Sequence, residues 1–194
     1  MSERNDASAA SLGEKSAYGI ERHQHLFAAW AASHAASVKG CRFAVETGRA
    51  LLEASGFNAA LCQPAQLPAP NELDAAHRLW RNNVITEAAH SHNLKLTHGV
   101  AAKLINCYLK SRFVCGGHHT HERVQQLHPP IDAVLLNKLA ALNVGGFAKE
   151  WRRAHALRWS KFDSQDYEQV IALIRQSLAG EPLWKIEEHW RGNQ

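Results

Sequence analysis

Apolar residues recur at intervals of three and four along most of this chain, and no stretch alternates apolar with polar residues as a half-buried strand would. Ile131, Val134, Leu135, Leu139 and Leu142 form one such series, and Tyr167, Val170, Ile171, Ile174 and Leu178 form another. Each series lines one side of a 3.6-residue helix, and a stripe of that kind is stable only when other helices cover it. The expectation is an all-α single domain of about eight helices. At 194 residues the chain buries enough apolar surface in one core to need no disulfide.

Stop and cap signals divide the periodicity. A first helix is expected over 18–38, with Phe27, Trp30, Ala31 and His34 on one side and Lys39-Gly40 closing it. A second runs over 42–54, ahead of a connection marked by Pro64, Pro68 and Pro70. Asn71 caps a third, with Leu73, Leu79, Trp80, Val84 and Ile85 as its core positions, and Thr97 caps a fourth through Phe113. A loop rich in Gly and His follows to Pro130, then helices over 131–142 and 147–157, one capped by Asp163, and a short last one from Pro182. Residues 1–16, polar and without an apolar core segment, read as a disordered tail and not a secretion signal, which leaves 17–194 as the folded domain.

No apolar run approaches the roughly 18 residues of a membrane span. Cys41, Cys62, Cys107 and Cys115 form no CxxC pair, so reduced, packed thiols are expected, and with no secretion signal the expected location is cytoplasmic. Net charge is only +4, but its distribution is uneven. Residues 95–161 hold 11 Lys/Arg against 3 Asp/Glu, whereas 1–94 hold 8 against 9 and 162–194 hold 3 against 6. A basic excess confined to one third of the chain points to a polyanionic partner.

The helix over 100–113 is apolar nearly all round, through Val100, Ala101, Leu104, Ile105, Tyr108, Leu109 and Phe113. Lys103, Asn106 and Lys110 interrupt it on one narrow stripe, the pattern of a helix that lines a cleft. Just ahead lies Leu96-Thr97-His98-Gly99-Val100-Ala101-Ala102-Lys103, and farther on His128-Pro129-Pro130-Ile131-Asp132 opens the next apolar helix. The first segment resembles the hairpin of the helix-hairpin-helix DNA glycosylases, and the second resembles that superfamily's Pro-Val-Asp element. The whole chain is similar to bacterial helical proteins related to 8-oxoguanine DNA glycosylases. Ala101 stands where the family's hairpin has its second glycine, and His98 where a Pro or Gly is common.

The resemblance implies a helix-hairpin-helix element, Lys103 as nucleophile and Asp132 as its acidic partner. It also implies that Thr97, His98, Gly99 and Ala101 meet a DNA phosphate through turn amides, with Lys110 and Arg112 as basic contacts beyond. The expected partner is double-stranded DNA, bound by a monomer in the bacterial nucleoid, and no cofactor is required. An unprotonated Lys amine attacks C1′ of the sugar and expels the base, while a carboxylate stabilises positive charge on the ring. The base must first leave the duplex for a pocket, for which Trp30, His34 and Trp151 are candidates. Asp132 has a second reading as a plain helix cap.

Cys115, His118, His119 and His121, with His128 close behind, offer an alternative chemistry, since one Cys and three His suit tetrahedral zinc. A metal-dependent enzyme and a non-catalytic DNA-binding module therefore stand beside the glycosylase expectation.

Overall fold

The computed structural model describes residues 18–191, so the expected tail over 1–16 lies outside the described residues. The protein is an all-α single domain. Among the described residues eight α-helices follow one another: α1 (Ile20–Ala36), α2 (Val45–Ala54), α3 (Leu73–His92), α4 (His98–Leu109), α5 (Glu122–Gln125), α6 (Ala133–Ala141), α7 (Ala148–Leu157) and α8 (Ser164–Leu178). A 3-10 segment over Leu183–His189 completes the order. Among the described residues no helix is long and apolar enough to cross a membrane.

The all-round apolar character of α4 has a direct architectural cause. Val100, Ala101, Leu104, Ile105 and Tyr108 join a core built with α1, α2 and α3, while Ala102 belongs to a second core built from α6, α7, α8 and the last segment. A helix wedged between two layers has little side left for water, which is why its few polar residues carry information. It does not stop at Phe113: the backbone continues through π-helical turns over Lys110–His118 until Gly117, at φ 92°, breaks it. The loop expected from Cys115 is therefore partly helical, and α5 follows within it.

Apolar identity alone misplaces Leu79, Val134 and Leu142, expected in the core, whereas Phe27, Trp30, Ala31 and His34 do share one side of α1, and it is not the buried one. α1 buries Ala28, Ala29, Ala32 and Ala36, whereas Phe27 and Trp30 are 58% and 50% exposed. Alanine on the inward side lets α1 lie close against α4, and an indole would not fit there. Leu79, Val134 and Leu142 are exposed as well. Asp163 caps α8 in a reciprocal capping box with Asp166, as its position ahead of the Tyr167 stripe leads one to expect. Glu72, not Asn71, precedes α3.

Candidate active site

Five residues, Asn93 to Thr97, connect α3 to α4, beginning with Asn93 in the left-handed region at φ 50°. Thr97 caps α4, accepting the Val100 N–H at 3.2 Å and donating to the Ser160 carbonyl at 3.0 Å. The Gly99 N–H donates to the Phe162 carbonyl at 3.2 Å. A Cβ on Gly99 would stand 1.8 Å from the Trp159 carbonyl oxygen, so glycine here permits the 159–162 turn to seat on the helix start. The amides of Gly99 and Val100 are thus satisfied within the protein, not presented to a phosphate as the resemblance implied.

The other residues expected to meet DNA divide sharply. Ala101 is fully buried. His98 is half-buried, and burial, joined by nearby Arg81, pushes its imidazole pKa down. Arg112 is buried, with its guanidinium donating to the carbonyls of Leu61, Glu21 and Ala59 and to Gln24. It ties α1 and the 59–61 segment to the π-helical turns and has no face left for a phosphate. Lys110 is half-buried and ion-paired with Glu187.

Lys103 and Asp132, 29 residues apart, are brought together. Lys103 Nζ lies 3.0 Å from Asp132 Oδ2, with the amine also 5.7 Å from the Trp159 ring centre. Asp132 is the cap of α6, its Oδ1 accepting the Leu135 N–H at 2.9 Å, while its Oδ2 faces Lys103. The Trp190 indole donates to the same Oδ2 at 2.8 Å. Burial pushes the Asp132 pKa up, but the Lys103 charge, the Leu135 N–H and the Trp190 N–H outweigh it and hold the carboxyl below its usual range.

These groups open into a cavity of about 240 Å³ whose walls include Lys103, Cys107, Lys110, Asp132, Glu187 and Trp190. Ala31 and Ala35 of α1 form the side where bulk would close it. Burial raises the Glu187 carboxyl above its ordinary value, an effect that Lys110 partly offsets, and raises the Cys107 thiol to about 11. Glu187, Trp190 and Cys107 were not singled out from sequence. Their shared signal is position, with Cys107 one turn beyond Lys103 and Glu187 three residues before Trp190. Of the aromatic candidates, Trp151 is wholly buried in the second core and donates to the Val144 carbonyl, so it lines no cleft.

Behind the cavity, Asn106 turns away from the stripe that it shares with Lys103 and Lys110. Its amide donates to the Pro129 carbonyl and the Tyr167 hydroxyl, each at 2.9 Å, and its carbonyl oxygen lies 2.7 Å from His77 Nε2. His128 continues the network to Tyr167 at 3.0 Å and to Asp74 at 2.8 Å, and Arg175 pairs with the same Asp74. The network pins the Pro129-Pro130 segment that delivers Asp132.

The four residues expected to suit zinc do not converge. Among the described residues no group of three His, Cys, Asp or Glu side chains is placed to hold a metal ion. His121 caps α5 through Nδ1, His119 packs edge-on against Trp184, His118 lies by Phe113, and Cys115 is exposed. His128 belongs to the buried network instead.

Nine of the 11 basic residues in 95–161 fall into two populations. Lys103, Lys110, Arg112 and Arg123 are spent on internal partners. Lys149, Arg152, Arg153, Arg158 and Lys161, on α7 and the turn after it, are exposed. That turn carries Trp159, whose ring centre lies 5.7 Å from the Lys103 amine. No protein-family model, curated protein or solved structure matches the chain.

Proposed function

We propose that the chain is a DNA glycosylase with lyase activity, which excises a damaged or modified base through a Schiff base on Lys103. The observation that carries this reading is the 3.0 Å approach of the Lys103 amine to the Asp132 carboxylate at the wall of a cavity about 240 Å³ in volume. Attack on a sugar carbon requires an unprotonated amine; the adjacent carboxylate is a proton acceptor within hydrogen-bond reach of this buried one, and the cavity is open to a group swung out of a duplex.

Asp132 Oδ2 is the nearest acceptor for a proton leaving Nζ. The freed lone pair then forms the Nζ–C1′ bond while the C1′–base bond breaks, and the base departs with the bonding electrons and takes up a proton. Opening of the sugar ring gives the C=N linkage. Loss of a C2′ proton then expels the 3′ phosphate by β-elimination. Asp132, having taken the Nζ proton, is the acid within reach that returns it to the departing base or to O4′ as the ring opens. The exposed basic residues of α7 supply the contacts to the double-stranded backbone.

Borohydride reduction tests the reading, because it converts the C=N linkage into a stable amine that joins protein to DNA. Incubation with duplexes carrying single damaged bases or an abasic site should give a covalent adduct that depends on Lys103. Binding of every duplex with no adduct would mean a DNA-binding module on the same scaffold instead of an enzyme.

A further inference from the structure

The outward face of α1 carries aromatic side chains that packing does not account for. Phe27 and Trp30 are 58% and 50% exposed, although residues of this size dominate cores when a fold has room for them. Their ring centres lie 5.8 Å apart, and the His34 ring meets Trp30 edge-on at 4.8 Å. The three make a run of aromatic side chains over about two turns of α1.

That surface runs into the cavity. Phe27, Ala31 and Ala35 fall at i, i+4 and i+8, on one stripe of α1, and Ala31 and Ala35 are walls of the cavity. Trp190, 36% exposed, stands on the wall formed by the last segment. An occupant of the α1 face is therefore continuous with an occupant of the site.

Charge narrows the kind of occupant. From Arg22 to Val45 the sequence holds Arg22, Lys39 and Arg42 and no acidic residue. The far end of α1 opens on a hollow lined by His34, Ser37 and Arg42. Aromatic faces beside the positive charge of Arg42 fit a polyanion that exposes aromatic rings.

We propose that this face of α1 is a stacking platform for unpaired bases of the DNA strand entering the site, with Phe27 and Trp30 under the bases and Arg42 and His34 at the phosphates. That the polyanion is DNA rests on the glycosylase reading. Drawing a base out of a duplex leaves its neighbours without full stacking, and exposed rings at the cavity mouth replace what they lose. The substrate class is accordingly single-stranded or locally melted DNA.

The test uses the full chain and a fluorescently labelled thymidine oligonucleotide, read by anisotropy beside a strand of the same length made of abasic sites. Phe27→Ala with Trp30→Ala should weaken thymidine-strand binding by about tenfold or more with an unchanged melting temperature, and Trp30→Phe should restore much of it. The abasic strand should bind the wild type more weakly and ignore the substitutions. Equal affinity of the double variant and the wild type overturns the platform, as does an abasic strand bound as tightly as the thymidine strand. A wild-type dimer that the substitutions dissociate without changing affinity gives the face to a second copy of the chain and overturns it too. Borohydride trapping, run in parallel, reads Lys103 alone. Absence of an adduct beside an aromatic-dependent affinity refutes the nucleophile while the platform stands.

Discussion

Asn106 lies on the same helix as Lys103, three residues on, and donates to the Pro129 carbonyl at 2.9 Å, three residues before Asp132. The helix that carries the amine thereby fixes the segment that carries the carboxylate. Asn106→Leu leaves the Pro129 carbonyl, the Tyr167 hydroxyl and His77 without this partner inside the protein. The expected cost is about 1–3 kcal/mol, read as a lower denaturant midpoint with an unchanged slope.

Lys103→Gln keeps much of the side chain and removes the nucleophile, so adduct formation should vanish while DNA affinity persists. Asp132→Asn should lower turnover by about a hundredfold. Asparagine caps helices as well as aspartate does, so this variant separates charge from the cap of α6, whereas Asp132→Ala should also lose about 1 kcal/mol of stability. Full turnover in Asp132→Asn would remove the carboxylate from the chemistry.

Gly99→Ala places a methyl group against the Trp159 carbonyl oxygen, where backbone must move to admit it. A loss of about 1–3 kcal/mol or more is expected, visible in the melting temperature without DNA. A stable Gly99→Ala protein that had lost only DNA affinity would restore the phosphate-binding task to the turn.

The buried histidines predict how stability follows pH. Burial lowers the pKa of His77 and of His128 below the ordinary value, against the favourable pull of Asn106 and Asp74 respectively. The unfolded chain takes up protons near pH 6.5 and the native state resists them, so stability is full above that pH and falls as pH drops below it. Glu168 is held down to about 2 by Arg78, Ser164 and Arg81, and Asp132 is held below its usual range, so a second loss follows as pH falls below about 4. Melting temperatures from pH 8 to pH 3 should show both declines, the first reduced in His128→Gln. A flat profile between pH 7 and pH 5 would contradict the histidine assignment.

Salt dependence separates the exposed cations from the buried ones. Arg152→Ala with Arg153→Ala should reduce the slope of log affinity against log salt by about 1 for each lost phosphate contact. Equal slopes for variant and wild type would place the backbone contacts elsewhere.

Helical class, most helix boundaries and the capping of α6 and α8 are local matters, set by 3.6-residue periodicity and by Asp132 and Asp163 in sequence, so they were legible before any contact was known. The close approach of Lys103 to Asp132 could be expected from the order of two short motifs, but the buried network around Asn106 that fixes it across 29 residues of chain could not. Which face of a helix turns inward follows size as well as polarity. α1 turns alanines inward and leaves Phe27 and Trp30 in solvent because close helix packing admits only small side chains. Arg112 is buried because backbone carbonyls from distant segments satisfy its donors, and Gly99 is a contact glycine because the 159–162 turn, 60 residues away, descends on it. Sequence determined which residues could form helices and carry charge. Tertiary packing decided which of those charges were spent on the protein's own backbone and which remained for a partner, because each buried donor must find an acceptor that only the folded chain supplies.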